Sequence, residues 1–170
     1  MSKYSKIFLI TGVILLAYGY LCRLVPIDFF WDSRTIGWVF LFIALLAYWI
    51  ALRKTRKQAN KKTTWINIGI GFLLLGLVML PVVVFILSNS AAYSAATQYL
   101  QSDSRIQNEV GDIKGFGLIP TGSVQVSTIN GIESGHATFE IIVRGSKKYK
   151  DVTVDLQKTS GNSWTVTDVR

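Results

Sequence analysis

The residues best suited to chemistry are few in this 170-residue chain, and they lie far apart. Cys22 is its single cysteine, His136 its single histidine, and Met1 and Met79 its two methionines. Copper and similar metals need several soft ligands side by side, and this inventory builds no such cluster within one chain. A lone cysteine makes no intramolecular disulfide, and haem attachment through Cys-x-x-Cys-His is impossible. His136 shares the polar face of an alternating segment with Glu140 and reads as a solvated surface residue; partner recognition or pH sensing is its other use. Its neighbours suggest no nucleophile–histidine–acid set. Gly115-Phe116-Gly117, with Pro120 and Gly122, has the glycine density of a phosphate loop. It lacks the Lys-Ser/Thr ending and leads into a strand, so a bent strand entry is the better reading. Phe116 is then either a core plug or an exposed contact. Lys147, Lys148 and Lys150 gather at a hairpin tip, which reads as a solvated edge; phospholipid headgroups or an acidic partner are its other uses. No catalytic residue, metal ligand or cofactor is assigned, and a non-enzymatic protein is expected.

The elements that must carry these residues are dominated by three apolar stretches before Asn89: Ile7 to Cys22, Thr35 to Leu52 and Trp65 to Leu87. A bilayer core takes roughly 20 apolar helical residues. The third stretch satisfies this outright. The second has Trp38 and Trp49 as interfacial anchors. The first reaches full length if Arg23 snorkels and the helix continues toward Ile27. The expected spans are therefore about 7–26, 35–52 and 65–87. A soluble chain this short has too little material to cover three all-round apolar helices.

The net charge of +8 is unevenly placed. The region after Ser88 carries eight basic and eight acidic residues and nets to zero. The excess sits in Lys3, Lys6, Arg53, Lys54, Arg56, Lys57, Lys61 and Lys62, while the connector from Arg23 to Arg34 is neutral. The positive-inside rule then puts the amino terminus and second connector in the cytoplasm, and the first connector and carboxy-terminal domain outside. The 53–62 connector is expected to rest on anionic lipid. Nucleic-acid binding is not expected. Lys3 and Lys6 before an apolar run begin like a signal peptide, but Tyr18-Gly19-Tyr20-Leu21 offers no small-x-small cleavage site. The first stretch is expected to remain as a span.

Small residues mark where these helices approach others. Ala44, Ala47 and Ala51 lie along one side of the second span, and Gly69, Gly71 and Gly76 thin the third. These six are candidate contacts for a membrane partner. Pro81 removes a backbone donor and should bend the third span locally. The spans hold no acidic residue or histidine, which counts against a channel or transporter.

After Ser88 the pattern changes. Asn89 or Ser90 can cap a helix, with Ala92, Ala95, Ala96, Tyr99 and Leu100 at helical spacing. A second turn over Ser104 to Val110 ends at Gly111. From Lys114 the chain reads as strands. Val124 and Val126 share one face, and Asn130-Gly131 is a hairpin turn signal. Ala137, Phe139, Ile141 and Val143 then point one way, and Val152, Val154 and Leu156 repeat the alternation. Turns fall at Gly145-Ser146-Lys147 and Ser160-Gly161-Asn162, and Trp164 and Val166 begin a last strand, Ser163 to Arg170, which reads as a sheet edge. The expected fold is three transmembrane helices over residues 1–88 and an α+β domain over 89–170. In that domain one helix covers a four-stranded antiparallel meander.

From about Ala91 to Arg170 the chain resembles the cytochrome oxidase assembly protein 1 (Coa1) family, whose domain is related to that of Tim21 in the mitochondrial presequence translocase. The residues that carry the resemblance are Val110-Gly111-Asp112-Ile113, Gly115-Phe116-Gly117, Gly122-Ser123 and Ser134-Gly135-His136-Ala137. They continue through Val143-Arg144-Gly145-Ser146-Lys147, Val152, Leu156 to Lys158, and Gly161-Asn162-Ser163-Trp164. Asp112 stands where the family often has proline, and three spans replace the single anchor that members commonly have. The three spans suggest a bacterial inner-membrane relative with its own partners. The resemblance implies a non-catalytic scaffold that helps assemble an inner-membrane respiratory complex, most plausibly cytochrome c oxidase. An accessory docking subunit of a protein-export or envelope complex is the alternative.

Overall fold

The computed structural model describes residues 3–25, 27, 29–129, 132–158 and 163–170. They form two compact units, Met1–Val82 and Val83–Arg170.

The first unit is built from α1 (Lys3–Leu24), α2 (Ser33–Gln58) and most of α3 (Thr64–Ser88). All three helices are long and apolar enough to cross a membrane. α2 has 26 residues, about 39 Å at 1.5 Å per residue, against a hydrocarbon core of about 30 Å. Its last turns carry the exposed Arg53, Lys54, Arg56 and Lys57, so the basic residues extend a rigid helix and do not form a slack loop. α1 and α2 pack closely, with Gly12, Gly19 and Gly37 buried between them. α3 meets α2 through a smaller cluster, where Leu46 packs with Ile66 and Ile70. Pro81 lies inside α3, whose helix continues past it.

In the second unit, Ser90 accepts from the Tyr93 amide at 3.1 Å and starts α4 (Ala91–Ser102). Asp103 ends α4 and caps α5 (Ser104–Val110), its carboxylate accepting from the Arg105 amide at 2.8 Å. Gly111 closes α5 at φ +81°, a conformation that glycine adopts without a Cβ penalty.

The sheet corrects the four-stranded expectation. It has five strands: β1 (Ile113–Phe116), β2 (Thr121–Ile129), β3 (Ile132–Gly145), β4 (Tyr149–Lys158) and β5 (Trp164–Val169). β3 is 14 residues long and outruns β2. β2 therefore pairs with 132–140 of β3, and β1 fills the same side against 143–145. β4 and β5 follow on the other side, all antiparallel. The Asn130-Gly131 and Ser160-Gly161-Asn162 turn signals lie outside the described residues, although Ile129 and Ile132 pair across the first of them.

The alternating residues land as the pattern requires. Ala137, Phe139, Ile141, Val143, Val152, Val154 and Leu156 are fully buried under Ala92, Ala96 and Leu100 of α4 and Ile106 and Val110 of α5. Phe139 meets Tyr93 edge-on at 5.6 Å between ring centroids. Val124 reaches this core. Val126, expected beside it, is 53 % exposed.

Candidate functional site

The small residues of the spans are mostly used within the chain. Ser5 donates to the Ala44 carbonyl at 3.1 Å, and Ala44 is 2 % exposed. A Cβ on Gly37 would lie 2.9 Å from the Leu16 amide nitrogen, and one on Gly12 would lie 2.9 Å from Leu41. Such a seam lets two backbones approach as no larger residue would. Ser5, Gly12 and Gly19 on α1 and Gly37, Ala44 and Ala51 on α2 recur every seven residues. That spacing was the readable signal for this interface, and the alanines alone did not reveal it. Gly69 lies beneath the Trp49 ring, and a Cβ on Gly76 would sit 3.1 Å from Phe42. Ala47 and Ala51 are half-buried. Gly71 is open, with nothing within 4 Å of an added Cβ.

The lysine cluster is also partly spoken for. Lys148 and Lys150 pair with the two oxygens of Glu109 on α5, at 2.8 Å and 2.6 Å. The backbone amide of Lys147 donates to the Val110 carbonyl at 2.9 Å. Gly145 permits this closure, since a Cβ there would collide with the Val110 backbone. The hairpin tip is thus clamped onto the end of α5, and Lys147 remains exposed. The clamp joins residues 39 and 41 positions apart, so no local pattern announces it. Phe116 is half-buried and packs against the core cluster.

Hydrogen bonds from Lys148 and Lys150 pull the Glu109 carboxyl down to about 2 from its ordinary 4.5. A depressed carboxyl stabilises the fold above its unfolded pKa and loses that contribution as pH falls through the folded value. Glu109 is 40 % exposed, so solvent screening holds the effect to about 1 kcal/mol. Glu109→Gln should lower stability by about that amount at neutral pH. The gap to the native chain should close between pH 4.5 and about 2. Chemical denaturation followed across that window checks it, and a gap unchanged by acid counts against the clamp.

The face of the sheet turned away from the helices is polar. Gln125, His136 and Gln157 stand in one cross-strand row, with Ser123, Thr138 and Asp155 in the next. His136 is exposed, and its Nε2 lies 3.4 Å from the Thr138 hydroxyl. That hydroxyl donates to Asp155 at 2.6 Å, and Arg170 pairs with the same carboxylate. Both contacts hold Asp155 below the usual carboxylate range, the Thr138 bond contributing most. A carboxylate so stabilised is a weak base, and a hydroxyl already donating to it is poorly placed to be activated by histidine. The trio reads as a surface network. Among the described residues, no group of three histidine, cysteine or acidic side chains gathers to hold a metal.

The space between helices and sheet is filled by the core. An open groove of about 480 Å³ lies at its margin, between α4 and β5, with Tyr99 and Trp164 among its lining. No family model, no curated protein and no solved structure matches the chain.

Proposed function

We propose that this chain is a non-enzymatic assembly or accessory subunit of an inner-membrane complex, with cytochrome c oxidase as the leading candidate. In this reading the spans join the complex and the 83–170 unit offers a docking scaffold outside the cytoplasm. The observation that carries it is where the motif residues fall. Gly111 caps α5, Gly145 admits the Val110 backbone, Ala137, Val143, Val152 and Leu156 fill the core, and Trp164 packs on it. Several residues of the Coa1-like resemblance therefore serve the helix-on-sheet frame, while others, such as His136 and Lys147, stand on the surface. The orientation rests on the charge asymmetry, with the basic end of α2 held in the cytoplasm against anionic lipid.

Affinity capture of the intact protein after mild detergent extraction should recover oxidase subunits, and deletion should lower the oxidase level. Recovery of translocon subunits would favour the docking role in protein export instead. Recovery of the chain alone, with oxidase unchanged, would count against both. A reporter active only outside the cytoplasm should be active after Arg170 and silent near Gln58; the reverse pattern would overturn the orientation.

A further inference from the structure

Strand β2 is an edge. It pairs with β3 on one side, and no strand of the described residues lies on the other. Proteins blunt such edges with charges, prolines or bulges. β2 has none of these: Thr121-Gly-Ser-Val-Gln-Val-Ser-Thr-Ile129 is uncharged and lacks proline, and its register on β3 is unbroken over nine pairs. The other edge differs, because the β4–β5 register shifts between Asp155 and Leu156. From Thr121 to Thr128, β2 is also exposed except at the half-buried Val124.

The order of residues on this edge says what covers it. Read outward from Gln125, the strand is close to a palindrome: valine on both sides at 124 and 126, then serine at 123 and 127. An antiparallel partner of the same sequence, related by a two-fold axis at Gln125, would place Val124 opposite Val126 of the second copy. Ser123 would meet Ser127 of that copy, and the two Gln125 side chains would meet at the axis. The unused backbone groups suit this register. Ile129 and Ile132 close a two-residue hairpin, and in an antiparallel ladder alternate residues bond the same neighbour. Gly122, Val124, Val126 and Thr128 therefore direct their amides and carbonyls outward, while the Gln125 carbonyl faces β3 beside Gly135. The pairs 124–126 and 122–128 each form twice about the axis, as an isologous contact requires. The axis stands perpendicular to the sheet, so both core faces remain on one side. Val126, the 53 % exposed valine, then gains Val124 of the second copy as its neighbour on that face. With no charge on the strand, nothing repels across the axis.

We propose that β2 is a homodimerisation edge, pairing antiparallel with β2 of a second copy about a two-fold axis at Gln125. The two sheets then become one continuous sheet.

Gln125 faces its own symmetry mate in a non-hydrogen-bonded pair, where Cα atoms lie about 4.5 Å apart and a disulfide fits. In full-length protein in detergent, with Cys22→Ser removing the native thiol, Gln125→Cys should oxidise to a covalent dimer. Thr165→Cys, exposed on the β5 edge, should not. Gln125→Lys sets two like charges face to face and should convert the dimer to monomer in sedimentation or light scattering. Mixing Gln125→Lys with Gln125→Glu chains should restore it. A monomeric native chain, a dimer that survives Gln125→Lys, or cross-linking at Thr165→Cys in preference to Gln125→Cys would each overturn the proposal. So would capture of a different protein at Gln125→Cys.

Discussion

Phe139→Ala should cost the 83–170 unit about 3–5 kcal/mol, a large part of the roughly 5–15 kcal/mol that holds an ordinary domain together. Phe139 is fully buried. It lies at the centre of β3 opposite Val154, with Tyr93 of α4 edge-on above it. Truncation removes the ring from both layers at once. The cavity would open beneath α4, where Ala92 and Ala96 are already small and have no longer side chain to extend into the gap. Burial also raises the Tyr93 phenol above its ordinary pKa, and a cavity that admits water should return it toward 10. Denaturant-dependent amide hydrogen exchange of β3 and β4 in the intact protein in detergent measures the cost. A loss below about 1 kcal/mol would mean that the helix layer does not rest on this ring.

Gly37→Leu should separate α1 from α2, while Gly71→Leu should leave the helices as they are. At Gly37 the nearest obstacles include backbone, the Leu16 amide nitrogen at 2.9 Å and the Gly12 carbonyl at 3.1 Å. Backbone cannot rotate out of the way as a long side chain can. Overpacking of this kind typically costs about 1–3 kcal/mol, and here it also breaks the closeness on which the seam depends. Gly71 lies in open space, so its change should stay within about 0.5 kcal/mol. Unfolding of both variants by graded denaturing detergent gives the comparison. Equal behaviour would show that the α1–α2 seam contributes little.

Much of this architecture is legible in the sequence because it rests on local repeats. Three apolar runs, the Ser90 cap, the Gly111 stop and the alternation of β3 and β4 each follow from neighbours within a few positions. What escapes is set by distant partners. The division of one sheet edge between β1 and β2 depends on β3 outrunning its hairpin mate, and nothing within β2 records the length of β3. Val126 follows the same alternation as Val124, yet it pairs with Gly135, which offers no side chain to pack on, and stays exposed. Glu109 looks like an ordinary surface acid until the hairpin forty residues on folds against it. By type and spacing, six small residues of α2 and α3 are candidate contacts for a membrane partner. Ala44, Gly69 and Gly76 prove to be buried or overlaid because the partner helices, α1 and α2 themselves, come from the same chain.

The seven-residue seam has a vernier property. If α2 slid along α1 by one repeat, Gly12 would face Ala44, Gly19 would face Gly37 and Ser5 would face Ala51, again small against small. The small residues alone therefore do not choose between the two registers, but Leu41 over Gly12 and Leu16 over Gly37 would give way to Tyr48 and Arg23. The connector sides with the leucines. Tyr18 donates to the Phe29 carbonyl at 2.7 Å, and the Arg23 guanidinium lies 4.9 Å over the Trp31 ring. These contacts latch the connector before α2 to the end of α1, and they hold the helix pair in the register where the two leucines cover the two glycines.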